Sequence, residues 1–393
     1  MSALRSVFAL VSVLGLIGGC RQAESTAPNT RPRANPDLST HDRPTNVSSA
    51  RSSDAQNPNT STPSSGDAMP QGKTVASAPD TEARFCVSLV YSPGYSIKLG
   101  GLEKLHPFDI AKYEKIHQQL LADGVVEAGA TLEPSALDDQ DLRLVHTADY
   151  LDRLKVRKNI AKYLEAEMLL AVPLSLEKHV LQPFRLASGG TLLAARHALE
   201  SGIGINLGGG YHHAKPDIGE GFCVYADVPI AIRKLQKEGL IGKALVIDVD
   251  VHQGNGTALC LADDDTTFTF SMHQGDIYPI PKEISDLDVE LNAGDGDEQF
   301  ITTLEKHLDT VFDQSQADIC FIVGGCDPLA GDPLASLEMT HEGIKNRDAI
   351  IVENCVKRKI PVVLTLSGGY SQDAWRAQYL SVRNLIETYG MKK

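Results

Sequence analysis

From residue 81 onward, short apolar runs alternate with longer stretches in which apolar residues recur every three or four positions. The short runs Gly204 to Leu207, Ala244 to Ile247, Asp318 to Val323 and Pro361 to Leu366 are aliphatic and β-branched. They read as strands buried on both faces. The longer stretches Tyr225 to Glu238, Glu298 to Gln314, His341 to Lys357 and Gln372 to Tyr389 read as amphipathic helices. Such alternation predicts an α/β fold, an open parallel sheet covered by helices on both faces. About 310 residues lie near the upper limit for one core, and no second linker divides them, so residues 81–393 are expected to form one domain.

Each of the four strands empties into polar residues. After Ala244 to Ile247 comes Asp248-Val249-Asp250-Val251-His252, and strand alternation sets the two carboxylates and the imidazole on one side. Gly204 to Leu207 runs into three glycines and Tyr211-His212-His213; Asp318 to Val323 into Gly324-Gly325-Cys326-Asp327; Pro361 to Leu366 into Ser367-Gly368-Gly369-Tyr370. Taken singly, an Asp at a strand end often caps the next helix, and a lone His is usually a bonded core residue. Ligands of open parallel sheets bind beyond the carboxyl ends of strands, and four clusters at four such ends argue against chance.

Asp250, His252 and Asp327 offer a zinc ion three N/O ligands and leave a fourth position for water, the pattern of catalytic zinc. The same set would accept Fe2+ or Co2+. Zinc lowers the pKa of a bound water to roughly 7, supplying a nucleophile at neutral pH. His212 and His213 suit proton transfer, and the Tyr370 phenol can donate to a carbonyl that becomes an oxyanion. Together they predict a hydrolase of amides.

These residues resemble the histone deacetylase family of the arginase-deacetylase fold, over nearly all of residues 85 to 393. The chain is most similar to class IV through Leu102-Glu103-Lys104-Leu105-His106-Pro107-Phe108-Asp109, Val145-His146-Thr147, Gly221-Phe222-Cys223-Val224-Tyr225-Ala226-Asp227 and Val251-His252-Gln253-Gly254-Asn255-Gly256. The resemblance implies that Asp250, His252 and Asp327 are the zinc ligands, His213 the general base and acid, His212 its electrostatic partner and Tyr370 the carbonyl polariser. It implies that Asp248 orients His212 and, with Ser271, holds a structural monovalent cation such as K+. Asn255 would hold His213 where some family members have Asp. Gly210, Phe222 and Tyr278 fall where the family lines a narrow tunnel for an acyl-lysine-like chain. Cys326 stands where a small residue such as Ala or Thr is usual, and Pro328-Leu329 also departs from the pattern; neither removes a ligand. His146, His197, His307 and His341 lack clustered partners and read as structural, while His106 lies near the expected tunnel entrance.

The amino-terminal region changes where such an enzyme is expected to work. Arg5, an apolar run from Val7 to Ile17 and Gly18-Gly19-Cys20 resemble a bacterial lipoprotein signal peptide over residues 1–20, with Cys20 acylated. About eleven apolar residues are too few to span a bilayer, which needs about 20. Residues 21–80 hold 8 Pro and 17 Ser or Thr but no Phe, Trp or Tyr, so a disordered tether is expected. The expectation is a lipid-anchored protein of the bacterial cell envelope, with the outer membrane weakly preferred because Arg21 follows the Cys. The remaining 45 acidic against 30 basic residues argue against nucleic acid as a partner and favour a cationic or amine-bearing substrate. Six cysteines beyond Cys20 show no CxxC spacing and read as buried thiols.

Two other readings compete. A dimanganese ureohydrolase would need further carboxylates, yet Asn255 stands where one belongs and Tyr370 would have no purpose. A tethered protein that captures acylated amines or a metal without turnover would not need His213 and Tyr370. The leading expectation is a metal-dependent deacylase acting on an acyl-lysine or acetylpolyamine-like substrate.

Overall fold

A computed structural model of the chain describes residues 85–392 and a two-residue strand, Asn29–Thr30. The expected signal peptide and almost all of the expected tether lie outside the described residues. Seven strands, β1 (Cys86–Val90), β2 (Gly202–Asn206), β3 (Ala244–Asp248), β4 (Thr267–Gln274), β5 (Leu287–Leu291), β6 (Ile319–Val323) and β7 (Val362–Thr365), form one parallel sheet in the order β5-β4-β3-β6-β7-β2-β1. Asn29–Thr30 adds an antiparallel edge on β5, Asn29 opposite Asp288, where an unstructured chain was expected.

The four motif-bearing strands are the four contiguous central ones, β3-β6-β7-β2. Register brings their ends level: Asp248 pairs with Val323, Val323 with Thr365, and Thr365 with Asn206. The four following loops therefore leave the sheet side by side. Every residue of β3, β6 and β7 is buried, as continuous apolar runs require when helices cover both faces.

Six longer helices cover the sheet: α1 (Lys112–Ala122), α2 (Gln182–Ser201), α3 (Asp227–Lys237), α4 (Asp297–Ser315), α5 (His341–Lys357) and α6 (Ala374–Tyr389). α2 packs on β1, β2 and β7 and on α3, while α1, α6, α5 and α4 form a continuous row, α4 lying on β3 and β4. α5 starts where expected because the Thr340 side chain accepts from Gly343 N. α3 and α6 each start two residues later than their apolar pattern suggests. Before α3, the Ala226 N–H is spent on His146 Nε2 at 3.0 Å; before α6, Ser371 belongs to a turn closed by Ala374 N at 3.2 Å. Among the described residues no helix is long and apolar enough to cross a membrane.

Candidate active site and metal centre

β3 ends at Asp248, so Asp250 and His252 stand in a loop rather than on the strand that alternation predicted. Their convergence survives because backbone contacts keep the loop nearly straight: Val249 N donates to Val323 O at 3.1 Å, and Gln274 N to Val251 O at 2.9 Å. His252 Nδ1 lies 3.2 Å from Asp250 Oδ1 and 3.3 Å from Asp327 Oδ2. Bonds of 2.0–2.1 Å to a tetrahedral metal place its ligand atoms about 3.3 Å apart, so these spacings fit a zinc-sized ion. The second oxygen of each carboxylate is already held, Asp250 Oδ2 by Gly368 N at 2.9 Å and Asp327 Oδ1 by Val251 N at 2.9 Å. The inward Asp327 Oδ2 is buried without a hydrogen bond.

The electrostatics make the same demand. Burial and the charge of Asp250 push the Asp327 carboxyl up to about 7, against the pull of His252. Burial would lower His252, but Asp250 and Asp327 outweigh it and hold the imidazole up to about 10. Both shifts express a local excess of negative charge that a divalent cation would satisfy. Only glycine fits behind this cluster: a Cβ on Gly325 would meet Asp250 Oδ2 at 2.0 Å, and one on Gly368 would meet Asp327 Oδ2 at 2.1 Å.

His212 and His213 sit beside the cluster, ring centroids 4.0 Å apart, in opposite states. His212 Nδ1 lies 2.8 Å from Asp248 Oδ2; burial opposes its charge, but Asp248 and Asp250 outweigh it and raise the imidazole to about 9. Burial and the neighbouring charges of His212 and His252 lower His213 well below the usual histidine range. Its Nδ1 lies 2.7 Å from Asn255 Oδ1, which can only accept, so the proton rests on Nδ1 and the Nε2 lone pair is free. A charged and a neutral imidazole side by side divide the labour of acid–base work.

Tyr370, Phe222 and Gly210 line a cleft that also reaches His212 and His213 and is otherwise walled mainly by apolar groups such as Phe108, Met168 and Phe184. Tyr370 packs edge-on to Phe222 at 5.9 Å and to His252 at 6.2 Å, and burial raises its phenol well above the usual range, so it keeps its proton. Tyr278 is 39% exposed and stands beside the cleft, not among the residues that line it, its ring 4.9 Å from His213 and 6.2 Å from His252. Ser271 pairs with Asp248 across β3 and β4, but its hydroxyl is engaged with His273 Nδ1 at 2.9 Å. His106 stands at the cleft with both ring nitrogens occupied, Nε2 on Leu164 O at 2.9 Å and Nδ1 accepting from Phe108 N at 3.0 Å. It shapes the wall.

The family model for the histone deacetylase domain matches residues 106–386. The chain belongs to the histone deacetylase family. A histone deacetylase of Arabidopsis thaliana is 36% identical over 303 residues, covering 76% of this chain and 78% of that protein. A probable deacetylase of Archaeoglobus fulgidus is 28% identical over 286 residues, covering 68% and 77%. The crystal structure of the HDA15 HD domain superposes with a TM-score of 0.63 at 20% identity, covering 77% of this chain and 92% of that one, and shows the same fold. The chain is accordingly a hydrolase of acetylated amides, with an Asp-His-Asp set suited to the metal on which the family typically depends.

Several residues that support this deacetylase site are not singled out by sequence. Asp227, at the start of α3, accepts from Gly210 N and Tyr211 N at 2.9 and 2.8 Å and so fixes the loop that presents both histidines. Asp332 accepts from Tyr370 N at 2.7 Å. The buried Lys112 ammonium donates to Ser367 O and Gly368 O at 2.6 and 2.8 Å. Arg347, fully buried on α5, donates from Nη1 to Val249 O and Gly325 O at 2.9 and 2.6 Å, tying the two ligand-bearing loops together. Glu220 accepts from Asn255 Nδ2 at 2.6 Å. Nothing in the sequence marks these charges as inward-facing, because each meets its partners across long stretches of chain.

Proposed function

We propose that the chain is a zinc-dependent deacylase that converts an acylated primary amine into the free amine and a carboxylate. The observation that carries this reading is the meeting of three inward ligand atoms, a neutral His213 with its Nε2 lone pair free, and a protonated Tyr370 at one cleft. Zinc bound by Asp250, His252 and Asp327 would acidify a water and polarise the scissile carbonyl; Fe2+ or Co2+ fits the same donors.

The chain's own residues supply the rest. His213 accepts the water's proton on Nε2 and later delivers it to the departing amine. His212, paired with Asp248, stays cationic and offsets negative charge as it develops. Tyr370 donates its O–H to the oxyanion formed from the carbonyl. The apolar walls exclude water and take an acyl or aliphatic chain, which suits acyl-lysine or acetylpolyamine-like substrates. Asp248 and Ser271 would share a monovalent ion such as K+ that keeps the end of β3 in place. Among the described residues the Asp250, His252 and Asp327 set is the one group of three metal-ligating side chains found together, which favours a single ion over the two of a ureohydrolase.

The amino-terminal pattern favours anchoring through an acylated Cys20 in a bacterial envelope, where histones are not the substrate. Hydrolysis of acyl-lysine peptides of graded chain length, with wild type beside Tyr370→Phe and His213→Ala, tests the activity. Turnover that both substitutions abolish supports it; no turnover on any acyl group despite a bound metal points to capture without catalysis.

A further inference from the structure

We propose that Glu220 is a positioning residue for His213, acting through the side-chain amide of Asn255; the inference rests on the deacylase reading above. An asparagine beside a catalytic histidine has an ambiguity that an aspartate lacks. Its carbonyl and amino ends are nearly the same shape, and only the carbonyl end can accept from His213 Nδ1. If the amide turned over, His213 would have to accept at Nδ1, carry its proton on Nε2 and face the cleft without a lone pair. The base would be lost with every atom nearly in place.

Two partners fix the amide. Gly256 N donates to Asn255 Oδ1 at 3.0 Å, and Glu220 Oε1 accepts from Asn255 Nδ2 at 2.6 Å. A turned amide would oppose amino group to N–H at Gly256 and carbonyl to carboxylate at Glu220. The Glu220 carboxylate is the stronger of the two because it is charged. It is itself held by Lys215, whose ammonium lies 3.1 Å from Oε1.

The placement of Glu220 follows from the tunnel wall. Cys223 N donates to Glu220 O at 2.9 Å, closing a tight turn with Gly221 at φ 52° and Phe222 at φ 65°. Positive φ at both central residues is the type I′ turn. A Cβ on Gly221 would meet His213 Cδ2 at 2.5 Å, so the turn lies directly against the imidazole. One turn thus sends Phe222 into the cleft and Glu220 to the far side of Asn255. The tunnel wall and the orientation of the base are built by the same four residues.

The test is kinetic and spectroscopic, on the full chain loaded with zinc. Glu220→Ala is expected to lower kcat about ten- to a hundredfold, the range seen when a group behind a catalytic ligand is removed, with KM and bound zinc little changed. Glu220→Gln, whose carbonyl can still accept from Asn255, is expected to restore most of kcat and guards against misfolding of the Ala variant. In an Asn255→Asp background, where no amide needs orienting and the two carboxylates would repel, Glu220→Ala should no longer lower kcat. With 15N-labelled histidine, the His213 signal should move from the Nδ1–H tautomer toward Nε2–H in Glu220→Ala alone. An unchanged kcat and tautomer in Glu220→Ala would overturn the proposal, as would an equal loss in the Asn255→Asp background. The tautomer readout needs no substrate, so it decides the role of Glu220 even if the deacylase reading fails.

Discussion

His212 and His213 are adjacent in sequence, equally buried, and opposite in protonation, because one faces a carboxylate and the other the carbonyl end of an amide. In the proposed mechanism that contrast gives proton transfer to the neutral ring, and it makes single-atom changes informative. Tyr370→Phe removes one oxyanion donor and should lower kcat by about two to three powers of ten, roughly 2.7–4 kcal/mol, with KM little changed; steady-state kinetics on an acyl-lysine peptide checks this. A third imidazole, His146, gives a pH dependence that does not involve the Asp250, His252 and Asp327 group. Its Nε2 accepts from Ala226 N, and burial lowers its pKa to about 4. The folded chain therefore refuses a proton that the unfolded chain takes up near 6.5. Stability from this group is whole above about pH 6.5 and is lost as pH falls toward about 4, amounting to about 3 kcal/mol. Denaturant titrations between pH 7 and 4 should show the loss, and His146→Gln, which can still accept the N–H, should make the decline shallower. His146 was readable as structural from its lack of neighbours in sequence; its partner Ala226 was not.

The working element is a strand end with its loop, repeated four times along adjacent strands. Those elements were legible because apolar runs and polar terminators share the same four stretches of sequence, and Asp250, His252 and Asp327 could be picked out before any fold was known. The bracing between them was not, since Arg347 looks like any helix arginine and Lys112 like any surface lysine until the sheet brings Val249, Gly325, Ser367 and Gly368 to them. Removing Arg347 would leave two buried carbonyls and the Asp348 carboxylate without their partner. Arg347→Met should cost about 3–5 kcal/mol of unfolding free energy, measured by urea titration. Gly368→Ala tests the other side of the loop arrangement: its new Cβ would press on Asp327 Oδ2 and Asp250 Oδ2, at 2.1 and 2.6 Å. Zinc affinity should fall at least tenfold by competition with a chromophoric chelator, while the circular dichroism of the fold is retained.

For the molecule as a whole, the strand order β3-β6-β7-β2 gathers the four loops into one site, and that site holds the buried group of Asp250, His252 and Asp327. Such a cluster ties stability to metal. Zinc at a hundred times its Kd should stabilise the fold by about 2.7 kcal/mol and raise Tm by several degrees. The amino-terminal reading is tested in cells, where Cys20→Ala should move the protein from the membrane to the soluble fraction. A catalytic metal centre is tested by a metal titration of the chelated chain, following acyl-lysine hydrolysis and bound metal together, beside Asp327→Asn. Activity should return in proportion to zinc and level off at about one ion per chain, with Asp327→Asn recovering neither binding nor turnover. Turnover by the metal-free chain, or full turnover by Asp327→Asn, would contradict the assignment of this cluster as the catalytic centre.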